Sequence, residues 1–220
     1  MGINELEDFY SRLDFTLVSD ARLFPHVTSF TERGTGREVH FSYESYVDPN
    51  NHGEKAVFIA STQDGRKIVV KFTEVYNEEA HSLLAARGLA PRLLSCDRSR
   101  FSDFVMIVMD YVDGKQFFDR YPDATPPGVL DEVSKALEIL HENNLVFGDL
   151  RSPNVLVTDQ HHVQLVDFDW CGRAGEEKYP ADINLVDIEW PEGVVPGGLL
   201  MVKNDDELFR RLKLRETSVR

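Results

Sequence analysis

The fold is decided by residues 137–157, which have the sequence LEILHENNLVFGDLRSPNVLV. Apolar residues at helical spacing lead into a turn that carries Asp149 and Asn154, and an apolar strand follows the turn. Thirteen residues beyond Asn154 comes a second acidic segment, Asp167-Phe168-Asp169. A lone Asp-x4-Asn pattern is weak in so acidic a chain, because most acidic residues are merely solvated. The complete order of helix, turn, Asp/Asn pair, strand and Asp-Phe is far more specific, and it indicates a functional site.

The composition is that of a globular protein with one or two domains. The chain has 220 residues, of which 42% are hydrophobic, and it can bury a sizeable core. Its net charge of −14 argues against a nucleic-acid partner or an anionic membrane surface. The longest clear apolar run, 104–109, is far shorter than a membrane span, and the acidic N-terminus does not resemble a signal peptide. Two cysteines make no disulfide framework, so we expect a cytoplasmic protein, with the nucleus as the other reducing compartment.

The first half of the chain predicts an antiparallel sheet. Alternating residues with β-branched and aromatic enrichment predict strands within 28–46, 56–72, 92–96 and 104–110. Asp64-Gly65 predicts a hairpin inside the second range, so that five strands are expected. A short helix is expected at 4–13 and another at about 77–87, where Gly88 and Pro91 end it.

The second half predicts mainly helices. Thr125, followed by two prolines, is interpreted as the N-cap of a helix that runs to Asn143, and residues 204–207 are interpreted as a capping-box variant that opens a final helix. We therefore expect an α+β fold of two lobes in a single domain, 1–220. The antiparallel-sheet lobe covers about 1–109, the hinge about 110–114, and a reduced, mainly helical lobe about 115–220.

Three motifs resemble those of the protein-kinase-like superfamily. They are Asp149-Leu-Arg-Ser-Pro-Asn154, Asp167-Phe-Asp-Trp-Cys-Gly172 and Glu176-Glu-Lys-Tyr-Pro180, and they are most similar to those of compact fungal-type kinase-like proteins. The resemblance covers about residues 55 to 175. It implies a minimal two-lobed kinase-like fold in which ATP and Mg²⁺ bind between the lobes.

The resemblance also assigns roles to individual residues. Asp149 faces the acceptor hydroxyl, while Asn154 and Asp167 supply the hard oxygen ligands that Mg²⁺ prefers. Lys71 contacts the nucleotide phosphates, and Val69 lies on the same face of its strand because side chains alternate. The remaining nucleotide contacts are Val69 above the adenine, Leu156 beneath it, and the hinge backbone around Asp110 and Val112.

Lys71 needs an acidic partner on the next helix, and Glu78 and Glu79 compete for that role. The residue four positions later lies on the same helical face. For Glu79 that residue is the apolar Leu83, whereas for Glu78 it is Ser82. We therefore expect Glu79 to face inward and to pair with Lys71.

The phosphate-binding loop departs from the kinase pattern. The loop after Val47 contains one glycine, Gly53, which brings fewer backbone amides to a phosphate than a G-x-G-x-x-G loop does. Gly34 and Gly36 are the alternative if the strand register is shifted.

Two further departures concern regulation and the acidic segment. Phe147 and Gly148 replace the His and Arg of the usual kinase triplet, so we expect no activation through a phosphorylated activation loop. Asp169 replaces a glycine, and it is interpreted either as a second metal ligand or as an acid that makes the segment less able to flip.

The leading hypothesis is an ATP- and Mg²⁺-dependent phosphotransferase. The acceptor is a hydroxyl of a protein Ser/Thr or of a small molecule, and both remain open because only 53 residues follow Asp167 to build a peptide-binding subdomain. The alternative is a pseudokinase, a nucleotide-binding or scaffold module without phosphotransfer. An interaction domain that never binds nucleotide fits poorly with Lys71, Asp149 and Asp167 all being retained.

Overall fold

The fold is given by a computed structural model, which describes residues 25–48, 56–100, 103–126, 128–186 and 188–214. The helix expected at 4–13 and the glycine Gly53 lie outside the described residues. Among the described residues, none of the helices has the length and apolar character that crossing a membrane requires.

The first half of the chain forms an antiparallel sheet of six strands, in the spatial order β1-β2-β3-β4-β6-β5. The strands are β1 (Ser29–Thr31), β2 (Glu38–Tyr46), β3 (Ala56–Thr62), β4 (Lys67–Thr73), β5 (Leu93–Asp97) and β6 (Val105–Asp110). One strand more than expected is present because the range 28–46 is divided by a turn at 32–37. Gly34 and Gly36 adopt positive φ in that turn, so these two glycines serve the β1–β2 hairpin.

A helix, α1 (Glu78–Ala85), follows the Lys71 strand as expected. Its N-cap is Asn77, whose side chain accepts a hydrogen bond of 2.9 Å from the Ala80 amide. The helix buries Ala80, His81 and Leu84 against the interior. One core extends from this face of α1 through the helices and strands of the second half of the chain, and a separate cluster covers the opposite face of the sheet.

The second half is built around one long helix and several short strands. The elements are β7 (Gly114–Gln116), α2 (Phe117–Arg120), α3 (Val129–Glu142), β8 (Leu145–Val146), a 3₁₀ turn (Ser152–Asn154), β9 (Val155–Thr158), β10 (Val163–Leu165), β11 (Gly172–Arg173) and α4 (Val202–Leu214). Strands β10-β9-β7 and β11-β8 form two small sheets. The expected α+β class is therefore confirmed, with a sheet-rich first half and a reduced second half.

Two predicted helix starts are wrong. Helix α3 begins at Val129, after Gly128 with φ +92°, and Thr125 does not cap it. Helix α4 begins at Val202, so Asn204 and Asp205 lie inside its first turn and are fully buried rather than serving as a solvent-exposed cap. In both places a cap-like residue was favoured by local pattern, whereas burial of the following turns decides where the helix begins.

Helix α3 offers a direct test of the core. Leu140 is fully buried within it. Leu140→Ala should lower the free energy of unfolding by about 2–5 kcal/mol, because a cavity replaces the side chain. Lys135→Ala, on the exposed face of the same helix, is the control. Equal destabilisation of the two variants in chemical denaturation would contradict the assigned core face.

Candidate active site

The turn after β8 places Asp149 at the centre of a hydrogen-bonded cluster. Its carboxylate is nearly buried. Arg151 donates to both oxygens, with Nη2 2.7 Å from Oδ2 and Nε in contact with Oδ1. Asn154 Nδ2 donates to the Asp149 Oδ2 at 2.8 Å and to its backbone carbonyl at 2.9 Å. Because the amide nitrogen of Asn154 is committed to Asp149, its amide oxygen is the atom that remains for a metal.

Opposing influences act on the Asp149 carboxyl. Burial is the largest, and it raises the pKa; the hydrogen bond and charge of Arg151 oppose it, while the nearby charge of Asp167 adds to the increase. The net result is a raised pKa. A buried carboxylate in contact with a titratable cluster is the environment in which a proton-accepting group is tuned.

Asp167 is brought to the same place by the backbone. The Val166 amide donates to the Asn154 carbonyl at 3.0 Å, which places the residues after β10 beside the 3₁₀ turn. Asp167 itself has φ +70°, a left-handed conformation that L-residues adopt at a cost of about 1–3 kcal/mol. The strain is maintained by contacts on either side of it, which is typical of a functional segment.

The donor set formed by Asn154 and Asp167 fits a magnesium ion. Both offer hard oxygen atoms, and Mg²⁺ in nucleotide sites takes one or two carboxylates and completes its shell with phosphates and water. Within the described part of the chain, no group of three or more His, Cys, Asp or Glu residues is arranged to hold a metal. A Mg²⁺ ion held by only these two side chains would need further oxygen ligands, which phosphates and water supply in nucleotide sites.

Lys71 reaches this cluster from β4. It is only 6% exposed, and its Nζ lies 2.5 Å from Asp167 Oδ1 and 2.6 Å from Asp169 Oδ1. Burial is the largest influence on the ammonium and lowers its pKa, but the two carboxylates together outweigh burial and leave the pKa raised. Lys71 is therefore a buried cation held by two acids of one short segment.

The expected ion pair between Lys71 and Glu79 is absent. Glu79 Oε2 lies 2.6 Å from Arg173 Nη2, and its side chain is 51% exposed. The inward face of α1 carries Ala80, His81 and Leu84, so position 79 is rotated toward solvent. The expectation failed because Leu83, which suggested the register, is only partly buried.

Helix α1 is instead attached to the Asp167–Asp169 segment through aromatic and backbone contacts. His81 stacks on Phe168 with ring centroids 4.8 Å apart and planes at 7°. The backbone N–H of Asn77 donates to the Phe168 carbonyl at 3.1 Å, and its side-chain Nδ2 donates to the Cys171 carbonyl at 3.0 Å. Phe147, at the start of the Asp149 turn, also contacts the Phe168 ring.

A residue that supports the site, and that the sequence did not reveal, is Asp205 on α4. Its fully buried carboxylate accepts hydrogen bonds from the amides of Phe147 at 2.8 Å and Gly148 at 2.9 Å, and from His141 Nε2 at 2.9 Å. It therefore fixes the backbone immediately before Asp149. Position 148 is glycine for a further steric reason: φ is +82°, and a Cβ there would lie 2.9 Å from the Trp170 carbonyl oxygen.

The residues expected around adenine lie at the junction of the two halves. Val69 on β4 pairs with Met109 of β6. The backbone N–H of Asp110 donates to the Arg92 carbonyl, and the Val112 carbonyl accepts from the backbone N–H of Gly114. Leu156 lies half-buried on β9. Their contacts with nucleotide, like the catalytic and metal roles above, remain predictions.

A cavity of about 610 Å³ opens beside the Asp149 turn. Arg151 lines it and lies over the Trp190 ring, with 5.1 Å between the guanidinium carbon and the ring centroid. Phe118 and Pro153 add apolar surface, and Arg210 and Arg211 of α4 add charge. The side of Arg151 that faces away from Asp149 thus borders a space large enough for a ligand.

The fold and the arrangement of these residues are those of a protein-kinase-like domain. The sequence profile described as "Protein kinase domain" matches residues 57–188, more than half of the chain. The chain therefore belongs to the protein kinase family, which confirms the resemblance found in the motifs.

The individual relatives are named as protein kinases. The chain is 38% identical over 81 residues to the serine/threonine-protein kinase GRIK1 of Arabidopsis thaliana, covering 33% of this chain and 19% of the relative. It is 30% identical over 101 residues to the cAMP-dependent protein kinase type 3 of Saccharomyces cerevisiae, covering 43% and 24%. It is 26% identical over 152 residues to the serine/threonine-protein kinase Sgk2 of Mus musculus, covering 61% and 41%. The matched segment thus spans less than half the length of each of these relatives.

The buried His81 predicts a pH dependence of stability. Burial lowers its pKa to about 4 from 6.5. The unfolded state therefore binds the proton first as pH falls, so stability should decrease between pH 6.5 and about 4, by about 3 kcal/mol in all. His81→Phe keeps the stacking but does not titrate, and its free energy of unfolding should fall less steeply over this window. Identical pH slopes in urea denaturation would contradict the prediction.

The Asp205 anchor predicts a large effect from a small substitution. Asp205→Asn places an amide where two backbone amides and His141 donate. We expect a loss of about 3 kcal/mol in unfolding free energy, since hydrogen bonds to a buried charge contribute about 1.5–3 kcal/mol each. Asp206→Asn, the exposed neighbour, is the matched control. Similar stability of the two variants would mean that the anchor is unimportant.

Proposed function

We propose that the protein is an ATP- and Mg²⁺-dependent phosphotransferase that transfers the γ-phosphate to a hydroxyl acceptor. One observation carries the proposal: Lys71, Asp149, Asn154 and Asp167, drawn from three separate parts of the chain, converge on one cluster. Asn154 contacts Asp149 at 2.8 Å, and Lys71 contacts Asp167 at 2.5 Å. Surface acids and bases have no physical reason to be gathered and buried in this way.

The chain's own residues divide the work between nucleotide and acceptor. Lys71 orients the phosphates, and the hinge backbone at Asp110 and Val112 holds the adenine between Val69 and Leu156. Asn154 and Asp167 would hold Mg²⁺, which when bound neutralises charge on the phosphates. The hydroxyl oxygen of the acceptor bonds to the γ-phosphorus while the bond between that phosphorus and ADP breaks. Asp149 accepts the proton that the hydroxyl loses.

Arg151 gates the proton-accepting group in this proposal. Its guanidinium covers both oxygens of Asp149, so the acceptor hydroxyl must displace at least one of these contacts. Arg151 also borders the cavity beside the Asp149 turn, and in this proposal the acceptor enters through that cavity. A protein Ser/Thr acceptor is supported by the names of two relatives, which are serine/threonine-protein kinases, and a small-molecule acceptor is supported by the size of the cavity.

A pseudokinase is the second candidate, and the same ion pairs favour it. Asp149 is fully occupied by Arg151 and Asn154, while Lys71 is sealed by two carboxylates. A nucleotide-binding or scaffold module could retain this closed cluster for stability alone.

We further propose a reducing compartment, the cytoplasm or the nucleus, because both Cys96 and Cys171 are free thiols.

The Asp149→Asn variant separates the two candidates. It should reduce phosphotransfer by about 10²–10⁴-fold, because the group acts on the acceptor proton, and it should leave Mg²⁺-ATP binding nearly intact. Nucleotide binding is measured as the rise in melting temperature on addition of ATP, with and without Mg²⁺. Phosphotransfer is measured as ADP release in the presence of protein and small-molecule acceptors. The exposed Asp159→Asn serves as control.

Each outcome has a definite meaning. Nucleotide binding without transfer in the wild-type protein would support the pseudokinase. Equal turnover in wild type and Asp149→Asn would remove the role of Asp149. The absence of any thermal shift at millimolar Mg²⁺-ATP would contradict the phosphotransferase and the nucleotide-binding module, and would leave only a scaffold module.

A further inference from the structure

The phosphate-binding lysine is held from an unexpected direction. Lys71 Nζ lies between Asp167 Oδ1 at 2.5 Å and Asp169 Oδ1 at 2.6 Å. Both acids belong to one three-residue segment, and Glu79 of α1 is engaged elsewhere, with Arg173. A cation that is 6% exposed needs a fixed anionic partner, because removal from water is otherwise costly.

The two acids are not equivalent. Asp167 is the residue whose carboxylate would be shared with Mg²⁺ in the proposed reaction, and sharing that charge would weaken its hold on Lys71. Asp169 has a second tie to the same strand: Thr73 Oγ1 donates to Asp169 Oδ2 at 3.0 Å. Lys71 and Thr73 are two residues apart on β4 and therefore lie on one face.

The carboxylate of Asp169 is thus oriented by both of its oxygens. Oδ1 contacts the lysine and Oδ2 accepts the threonine hydroxyl. A carboxylate committed in this way is poorly placed to turn toward a metal, but it is well placed to keep Lys71 extended along the strand. The two interpretations left open by the sequence, metal ligand or stabilising acid, are therefore not equally supported.

We propose that Asp169 is the positioning residue for Lys71, and that it replaces the helix glutamate in this task. The inference rests on the proposed function, because Lys71 must act on a nucleotide. Its consequence is that the lysine is positioned by β4 and the Asp167–Asp169 segment alone. Movement of α1 toward Lys71 is then not required for activity, since α1 is already attached through Asn77 and His81.

Three substitutions test the inference. Asp169→Asn removes the charge, Thr73→Val removes only the orienting hydroxyl, and Thr73→Ser restores that hydroxyl. In kcat/KM for ATP, Asp169→Asn should lose about 10–100-fold through misplacement of Lys71. Thr73→Val should lose about tenfold, the effect of one hydrogen bond to a charged group. Thr73→Ser should retain wild-type kcat/KM, and so should the exposed control Asp159→Asn.

The double variant is the decisive member of the set. Thr73→Val combined with Asp169→Asn should lose no more kcat/KM than Asp169→Asn alone, because the hydroxyl reaches Lys71 only through that carboxylate. The other partner of the hydroxyl, the Val75 carbonyl at 3.1 Å, does not connect it to the lysine. A purely structural role would give additive losses without rescue by serine. If the wild-type protein binds Mg²⁺-ATP but transfers no phosphate, the same cycle is measured as Kd for Mg²⁺-ATP, so failure of transfer and failure of positioning are distinguished.

Contrary results are equally specific. Asp169→Asn and Thr73→Val could both keep the wild-type kcat/KM while Glu79→Gln loses most of it. That result would show that Glu79, and not Asp169, positions Lys71. A loss in Asp169→Asn that is restored by excess Mg²⁺, with Thr73→Val unaffected, would make Asp169 a metal ligand. Absence of any nucleotide binding in the wild-type protein would overturn both this inference and the proposed function.

Discussion

The contact of Lys71 with Asp167 and Asp169 is the interaction on which the rest of the site depends. A buried ammonium group can be accommodated only where carboxylates meet it, so β4 and the segment after β10 must come together. That requirement accounts for the left-handed backbone of Asp167 and for the inward position of Phe168. Phe168 in turn supports α1 through the stacked His81.

A second buried carboxylate fixes the opposite side of the site. Asp205 holds the amides of Phe147 and Gly148, and the Asp149 turn follows directly. Helix α4 thereby fixes the backbone that leads into the Asp149 turn, although the second half of the chain has few other helices among its described residues. A reduced lobe can position a kinase-like site because these few buried polar contacts are fully satisfied.

The sequence predicted those parts of the site that follow from short spacing. Asp149, Asn154 and Asp167 lie within one stretch whose order is specific, and Lys71 follows from strand alternation. Asp205 was missed because it acts 58 residues from Phe147 and was interpreted within a local capping pattern. The predicted ion pair of Glu79 with Lys71 was wrong, because a single apolar neighbour cannot fix the rotation of a helix of eight residues. The burial of His81 decides that rotation, and a histidine is not recognised as a core residue from its type alone.

The central claim is that Lys71 is positioned by the acidic segment and not by α1. It is tested most directly by a crystal structure of the protein with Mg²⁺ and a non-hydrolysable ATP analogue. We expect Lys71 Nζ to remain within hydrogen-bonding distance of Asp169 while it contacts the phosphates, with Glu79 still paired to Arg173. A structure in which α1 has rotated, Glu79 holds Lys71 and Asp169 has turned to the metal would contradict the account.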